Sequence, residues 1–334
     1  MTISLILTGG TICCRTERDG IRRCDASGTH TLLEDAFRRQ QVTAEDIRFA
    51  VQMPVDRLSE DLTPQDWLAL LCCIAETDLQ KISGMMILHG TDTLDQTAAM
   101  LSAALPDIPV PVLLVSAIAP PDHPDSNALT NFTAAVSLIR KGLRPGVWAV
   151  YCNADGVTYL HRGYELEQCR HGSVDFFSRH MLPAEDAPLV PRTAQQLRYP
   201  YNSSMQPAEV LRLTPYNGLR YDRIPLEGVQ AVLHGTYHSE TANSAADSPY
   251  SVRTLLRRCR ENGIPCYLAP CDRETACYGS TAILLAEGAI PLSMQPNLAY
   301  AALWVGALRG LAGNELTKFA VRTAKACCEQ DGIL

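Results

Sequence analysis

No stretch of the 334 residues approaches the ~18 uninterrupted apolar residues that a membrane-spanning helix needs, so a transmembrane protein is excluded. The start carries no basic segment and no small-residue cleavage site. Met1-Thr2-Ile3-Ser4-Leu5-Ile6-Leu7-Thr8 reads as a buried strand and not as a signal peptide, and the mature chain is expected to begin at Met1. Among thirteen cysteines there is no CxxC pair, and Cys266, Cys271 and Cys277 match no standard zinc spacing, so no metal is expected. The odd cysteine count, the adjacent pairs Cys72-Cys73 and Cys327-Cys328, and the missing leader predict reduced thiols in a cytoplasmic protein. There is no basic stripe, and a net charge of −7 argues against nucleic acid as a partner. GxGxxG and GxxxxGK[ST] are both absent, which disfavours a nucleotide-binding oxidoreductase and leaves no cofactor to expect.

What is present is an ordinary globular composition, 46% hydrophobic and 19% charged, in a chain long enough for two cores. Ser4–Leu7, Arg48–Val51, Met85–Leu88, Val110–Val115 and Val147–Tyr151 are short aliphatic runs separated by segments of helical period. That alternation predicts an α/β fold, with a doubly wound, mostly parallel sheet in an N-terminal domain over 1–187. Thr63-Pro64-Gln65-Asp66 opens one helix with an N-cap, a proline and an acid, and the helix is expected to run to about Lys81. Further helices are expected over Leu94–Ala104 and Ala128–Arg140. Pro188, Pro191, Pro200 and Pro207 mark a linker over 188–207. A smaller C-terminal α/β domain over 208–334 follows, with strands at Val210–Leu213, Val229–Leu233 and Cys266–Ala269. Its helices are placed at Val252–Asn262, Asn297–Leu311 and Thr317–Glu329.

Two loops carry chemistry. The first strand runs into Thr8-Gly9-Gly10-Thr11-Ile12, where two glycines allow a sharp turn and a hydroxyl is presented at the carboxyl end of a sheet strand. Alone, such a turn also serves purely structural ends. The second loop, His89-Gly90-Thr91-Asp92-Thr93, again follows a buried strand and opens a helix, gathering hydroxyls, an acid and helix N-terminal amides. Thr91 and Asp92 can alternatively be caps of the helix starting at Leu94. Together the loops predict one threonine-centred pocket for a small polar ligand.

The pair TGGTI and HGTDT resembles the two signature segments of the bacterial-type asparaginase family, including its type I cytoplasmic branch. Ser59-Glu60-Asp61-Leu62-Thr63-Pro64-Gln65-Asp66-Trp67 is similar to that family's substrate loop, and Val115-Ser116-Ala117-Ile118-Ala119-Pro120 to the segment after its next strand. The resemblance implies that Thr11 is the nucleophile attacking a side-chain amide, with Thr91 assisting at the same carbon. It implies further that Asp92 binds the substrate α-amino group, Ser59 its α-carboxylate and the Ala117 carbonyl the amide nitrogen. Backbone amides around Gly10 and Thr91 would hold the oxyanion. A homodimer or homotetramer with the active site near a subunit interface is implied as well.

The family also uses a lysine beside the second threonine and a tyrosine near the first. Only Lys81, Lys141, Lys318 and Lys325 are available here, and aligning Arg162-Gly163 and Asp175-Phe176-Phe177 places Gln168 at the lysine position. The flexible segment expected from Cys13 to His30 has no tyrosine, the first being Tyr151. Glu60 adds a carboxylate to the substrate loop and favours a cationic ligand group. Ser126-Asn127-Ala128 replaces the family's aspartate and glycine. In the second domain, Tyr237-His238-Ser239-Glu240-Thr241 follows a strand where the family reaches a neighbouring subunit's pocket, so His238 is a candidate replacement base; its alternative is a loop histidine that only hydrogen-bonds. Cys13 and Cys14 read as packing residues. The resulting expectation is an asparaginase-like amidohydrolase of altered or reduced activity on an amino acid amide; the alternative is a pseudoenzyme that keeps the pocket for binding or regulation.

Overall fold

The computed structural model describes residues 1–17, 19–40, 46–167, 173–191, 197–272 and 278–329. Gln168 and Cys277 lie outside the described residues. The chain divides into two units, Met1–Gln206 and Pro207–Leu334.

In the first unit β1 (Thr2–Leu7), β4 (Arg48–Gln52), β5 (Gly84–Leu88), β6 (Pro111–Val115) and β7 (Gly146–Cys152) are parallel, with β1 between β4 and β5. Two antiparallel strands, β8 (Thr158–Arg162) and β9 (Leu182–Pro183), extend the far edge. Ile3, Leu5 and Leu7 alternate along β1 and are fully buried in one core with Met86, Leu88, Leu113 and Val115. That core is closed by α1 (Ala26–Gln40) and α4 (Ala128–Lys141), whose Phe37 and Phe132 rings meet edge-on at 5.9 Å. Burying so much aliphatic surface on both faces accounts for strands that read as continuous apolar runs.

The first helix read from the sequence, α2 (Pro64–Glu76), opens with the expected cap: the Thr63 side chain accepts from the Asp66 amide, and Asp66 returns a bond to the Thr63 amide at 2.8 Å. It ends five residues before Lys81. Thr77 turns extended, its hydroxyl bonds back to the Cys73 carbonyl at 2.9 Å, and the Asp78 side chain takes the Gln80 amide. Such local side-chain acceptors compete with continued helix. Against α2 packs α3 (Leu94–Ala104), with Trp67 donating to the Thr97 hydroxyl at 3.1 Å.

The segment expected to be flexible from Cys13 to His30 contains a hairpin, β2 (Cys14–Thr16) and β3 (Arg22–Cys24), and the start of α1. Opposite charges hold it: Arg15 pairs with Asp25 at 3.0 Å, and Arg23 with Asp19 at 3.1 Å.

In the second unit β10 (Val210–Leu213), β11 (Ala231–Gly235), β12 (Cys266–Ala269) and β13 (Ile290–Pro291) form a smaller parallel sheet. β11 starts two residues later than expected, because Val229 closes a turn onto Leu226 through Gly228 at φ +75°. α5 (Val252–Glu261), α6 (Gly279–Ala286), α7 (Pro296–Leu308) and α8 (Gly313–Glu329) complete the unit. Among the described residues no helix is long and apolar enough to cross a membrane.

Candidate functional site

The site grows from two neighbouring strand ends. Leu7 of β1 and Leu88 of β5 are register partners, so the loops that follow leave the sheet side by side at its carboxyl edge. Thr8 locks them together: its amide and its hydroxyl both donate to the Leu88 carbonyl, at 3.1 and 2.9 Å. On the other flank, Arg57 donates its amide to the Thr8 carbonyl and accepts the Gly10 amide at 2.8 Å.

Both glycines of the first loop are required by geometry. Gly9 has φ +98°, and a Cβ there would stand 2.1 Å from the Arg57 carbonyl oxygen. Gly10 has φ +75° and ψ 179°, and its Cβ would stand 2.2 Å from both Cα and N of Gly90. The two signature loops therefore touch backbone to backbone. Thr11 follows on a short 3-10 turn, Thr11–Cys13, half-buried, while Ile12 and Cys13 anchor beneath it.

The second loop is seated from below and from the side. His89 is fully buried; its amide donates to Val115, and its Nδ1 donates to the Gly90 carbonyl at 2.8 Å. Desolvation drives its pKa down to about 4, so the ring is neutral. Ser59, buried, clamps the far side: its Oγ accepts the Asp92 amide at 3.2 Å, and its carbonyl accepts the Thr93 hydroxyl at 2.9 Å. Thr93, not Thr91 or Asp92, is the N-cap of α3, and it makes no side-chain capping bond. The hydroxyls of Thr11 and Thr91 make no hydrogen bond to another described residue. Asp92 is exposed, and Glu60 is exposed on the adjoining Ser59–Asp61 turn.

Ala117 is buried in the loop after β6. Two residues the sequence reading did not assign to the site hold this loop. Asn127 accepts the Ile118 amide at 3.0 Å and donates to Cys152, while Asn131 donates to the Ser116 carbonyl and accepts the Cys152 amide at 2.7 Å. Ser126 adds a bond to the Ala119 carbonyl at 2.8 Å. The signal for Asn131 was present as an amide on the apolar stripe of α4.

Gly10, Ser59, Gly90 and Asp92 thus meet within the first unit. His238 belongs to the second, exposed on a turn where Tyr237 and Thr241 pair through their backbones at 2.8 Å. An acid–imidazole pair, unforeseen, stands in the first unit: Glu165, buried, meets His180 Nδ1 at 2.8 Å. Among the described residues no three metal-ligating side chains converge.

The N-terminal sequence model of the asparaginase family matches residues 2–200, which is more than half of the chain. The chain belongs to the asparaginase family. Within the curated relatives of this asparaginase-family chain, a glutamyl-tRNA(Gln) amidotransferase subunit from Pyrobaculum aerophilum is 28% identical over 175 residues, covering 52% of this chain and 40% of that one. The protein of the same name from Metallosphaera sedula is 27% identical over 240 residues, covering 67% and 53%. The chain spans about half or less of the length of these relatives. Solved structures match it along nearly its whole length. L-asparaginase I from Vibrio cholerae superposes with a TM-score of 0.71 at 20% identity, covering 96% of both chains. The L-asparaginase from Thermococcus kodakarensis gives 0.71 at 16% identity over 98% and 97%. A probable cytoplasmic L-asparaginase from Campylobacter jejuni gives 0.66 at 17% identity over 96% and 99%. At these identities the structures establish the asparaginase fold.

Proposed function

We propose that this chain hydrolyses the side-chain amide of asparagine or a related amino acid amide, with Thr11 as the nucleophile. The observation that carries the reading is the backbone contact of Gly10 with Gly90, which seats Thr11 and Thr91 on adjoining loops at one sheet edge. Thr11 Oγ adds to the amide carbon as its proton passes to a base, and the nitrogen leaves as ammonia. Water then hydrolyses the resulting ester and restores the threonine. Backbone amides around Gly10 and Thr91 would hold the oxyanion, Ser59 the α-carboxylate, Asp92 the α-ammonium, and the Ala117 carbonyl the amide nitrogen. Glu60 at the rim adds negative charge and favours a ligand with a cationic group.

The base is the unusual part. With Gln168 at the family's lysine position and no tyrosine before Tyr151, we assign the role to His238, delivered from a neighbouring protomer of a cytoplasmic homodimer or homotetramer whose sites lie near the interface. The same two departures favour a second reading, a pocket retained for amino acid binding or regulation with its catalytic power reduced or lost. Ammonia release measured across asparagine, glutamine, their D forms and small peptidyl amides, with ligand-induced thermal shift in parallel, separates the two. Shift with release supports hydrolysis, and shift without release supports binding alone.

A further inference from the structure

We propose that Cys14 and Cys24 form a reversible oxidation site, which a hydroperoxide converts into a cross-strand disulfide that ties the two strands of the β2–β3 hairpin together and releases the Cys14 contact to the Gly10 turn. The two residues are register partners across the hairpin, and their sulfurs lie 3.7 Å apart. The bonds that frame them, Asp25 amide to Cys13 carbonyl at 2.8 Å and Glu17 amide to Ile21 carbonyl at 3.0 Å, make them a non-hydrogen-bonded pair. Such pairs bring Cα atoms to about 4.5 Å with the side chains facing each other, inside the ~4.4–6.8 Å range that a disulfide spans.

Access and reactivity agree with the geometry. Cys24 is half-exposed, whereas Cys13 is fully buried and desolvation holds its thiol high. The Cys24 thiol is lowered from its ordinary value: a hydrogen bond from Cys14 stabilises the thiolate, against burial and against the nearby carboxylates of Asp56 and Glu60. When both groups are thiols, the Cys14 hydrogen is instead directed at the Gly10 carbonyl, 3.2 Å away. In the second unit Cys259 and Cys266 also neighbour each other, but both are buried and serve as an internal comparison.

The chemistry closes on named atoms. Cys24 thiolate attacks one oxygen of the hydroperoxide and becomes a sulfenic acid, releasing water or an alcohol. Cys14 sulfur then attacks the sulfenic sulfur, the S–S bond forms, and the hydroxyl leaves as water with the Cys14 proton. The two sulfurs lose two electrons and the peroxide gains them; a small dithiol returns both thiols. Closure draws the sulfurs from 3.7 Å to about 2.05 Å and removes the Cys14 donor from the Gly10 carbonyl. Because Gly10 immediately precedes Thr11, the oxidised form should handle substrate less well; this consequence rests on the amidase reading, whereas the disulfide itself does not.

The test oxidises the full-length protein with hydrogen peroxide, alkylates free thiols and maps peptides by mass spectrometry, before and after dithiothreitol. Wild type should lose two hydrogens in a linked Cys14–Cys24 peptide, reversibly. Cys24→Ser should form no link, and Cys14→Ser should stop at a sulfenic acid trapped by dimedone. Full alkylation of both cysteines after peroxide has been consumed by the protein would overturn the proposal, as would linkage of either to another cysteine. Ammonia release should fall at least threefold on oxidation in wild type, recover with dithiothreitol, and stay constant in Cys24→Ser. A linked form with unchanged release overturns the effect on substrate handling. Absence of release in every form counts against the amidase reading, and the linked peptide still decides the oxidation site.

Discussion

Replacing Gly10 with alanine isolates the loop-to-loop contact on which the proposed pocket depends. At φ +75° and ψ 179° the residue occupies backbone space that is essentially restricted to glycine, and placing a side chain there costs about 1–3 kcal/mol. The new methyl would also stand 2.2 Å from two backbone atoms of Gly90, which cannot rotate away, so the loops must part; overpacking of this kind costs a further ~1–3 kcal/mol. The sum, about 2–6 kcal/mol, is a large share of a typical net stability of ~5–15 kcal/mol. Gly20→Ala is the matched control. Its φ of +79° carries the left-handed strain of about 1–2 kcal/mol, but its Cβ meets nothing within 4 Å. Denaturant unfolding gives the stability change, and thermal shift with asparagine or aspartate gives binding. Gly10→Ala should lose more stability than Gly20→Ala and lose the ligand shift entirely, while Gly20→Ala keeps it. Equal losses from the two variants, with ligand shift preserved in Gly10→Ala, would refute the reasoning.

Three buried histidines set the acid limit of the fold. Burial holds His89, His161 and His234 down at about 4, against ~6.5 in the unfolded chain, so the unfolded state takes up protons first as pH falls. Their contribution is fully present above pH ~6.5 and declines down to about 4, by up to ~3 kcal/mol for each ring, and the denaturant midpoint at pH 4.5 should lie well below that at pH 7. A flat profile between those values would count against it. Asp92→Asn should weaken ligand binding by about tenfold or more, with little change in melting temperature, since an exposed carboxylate is lost without core volume; the reverse pattern would make Asp92 structural. His238→Gln should abolish ammonia release and Gln168→Lys should raise release from asparagine; if neither substitution changes release, the base assignment fails.

The parts of this protein legible in its sequence were those fixed by local chemistry. Thr63-Pro64 and Asp66 announced a helix start, and the two glycine loops announced sharp turns at strand ends, because cap and turn preferences act within a few residues. α1 was not visible: Ser27-Gly28-Thr29 in its first turn are weak helix formers, and it is held by Leu33 and Phe37 packing against α4, about a hundred residues away. β8 and β9 escaped notice for a related reason, since Thr158–Arg162 is a strand by pairing with β7 more than by its own pattern. Asn127 read as a departure from a family pattern, yet its amide bridges the loop after β6 to the end of β7, a task set by tertiary neighbours alone.

The most direct measurement is ammonia release by wild type and Thr11→Ala under saturating asparagine, with ligand binding and melting temperature recorded on the same preparations. Thr11→Ala removes one half-exposed hydroxyl and no core volume, so folding and some ligand binding should persist while release falls to background. Release surviving in Thr11→Ala within about threefold of wild type would contradict the nucleophile assignment and, with it, the account of the pocket as a threonine amidase.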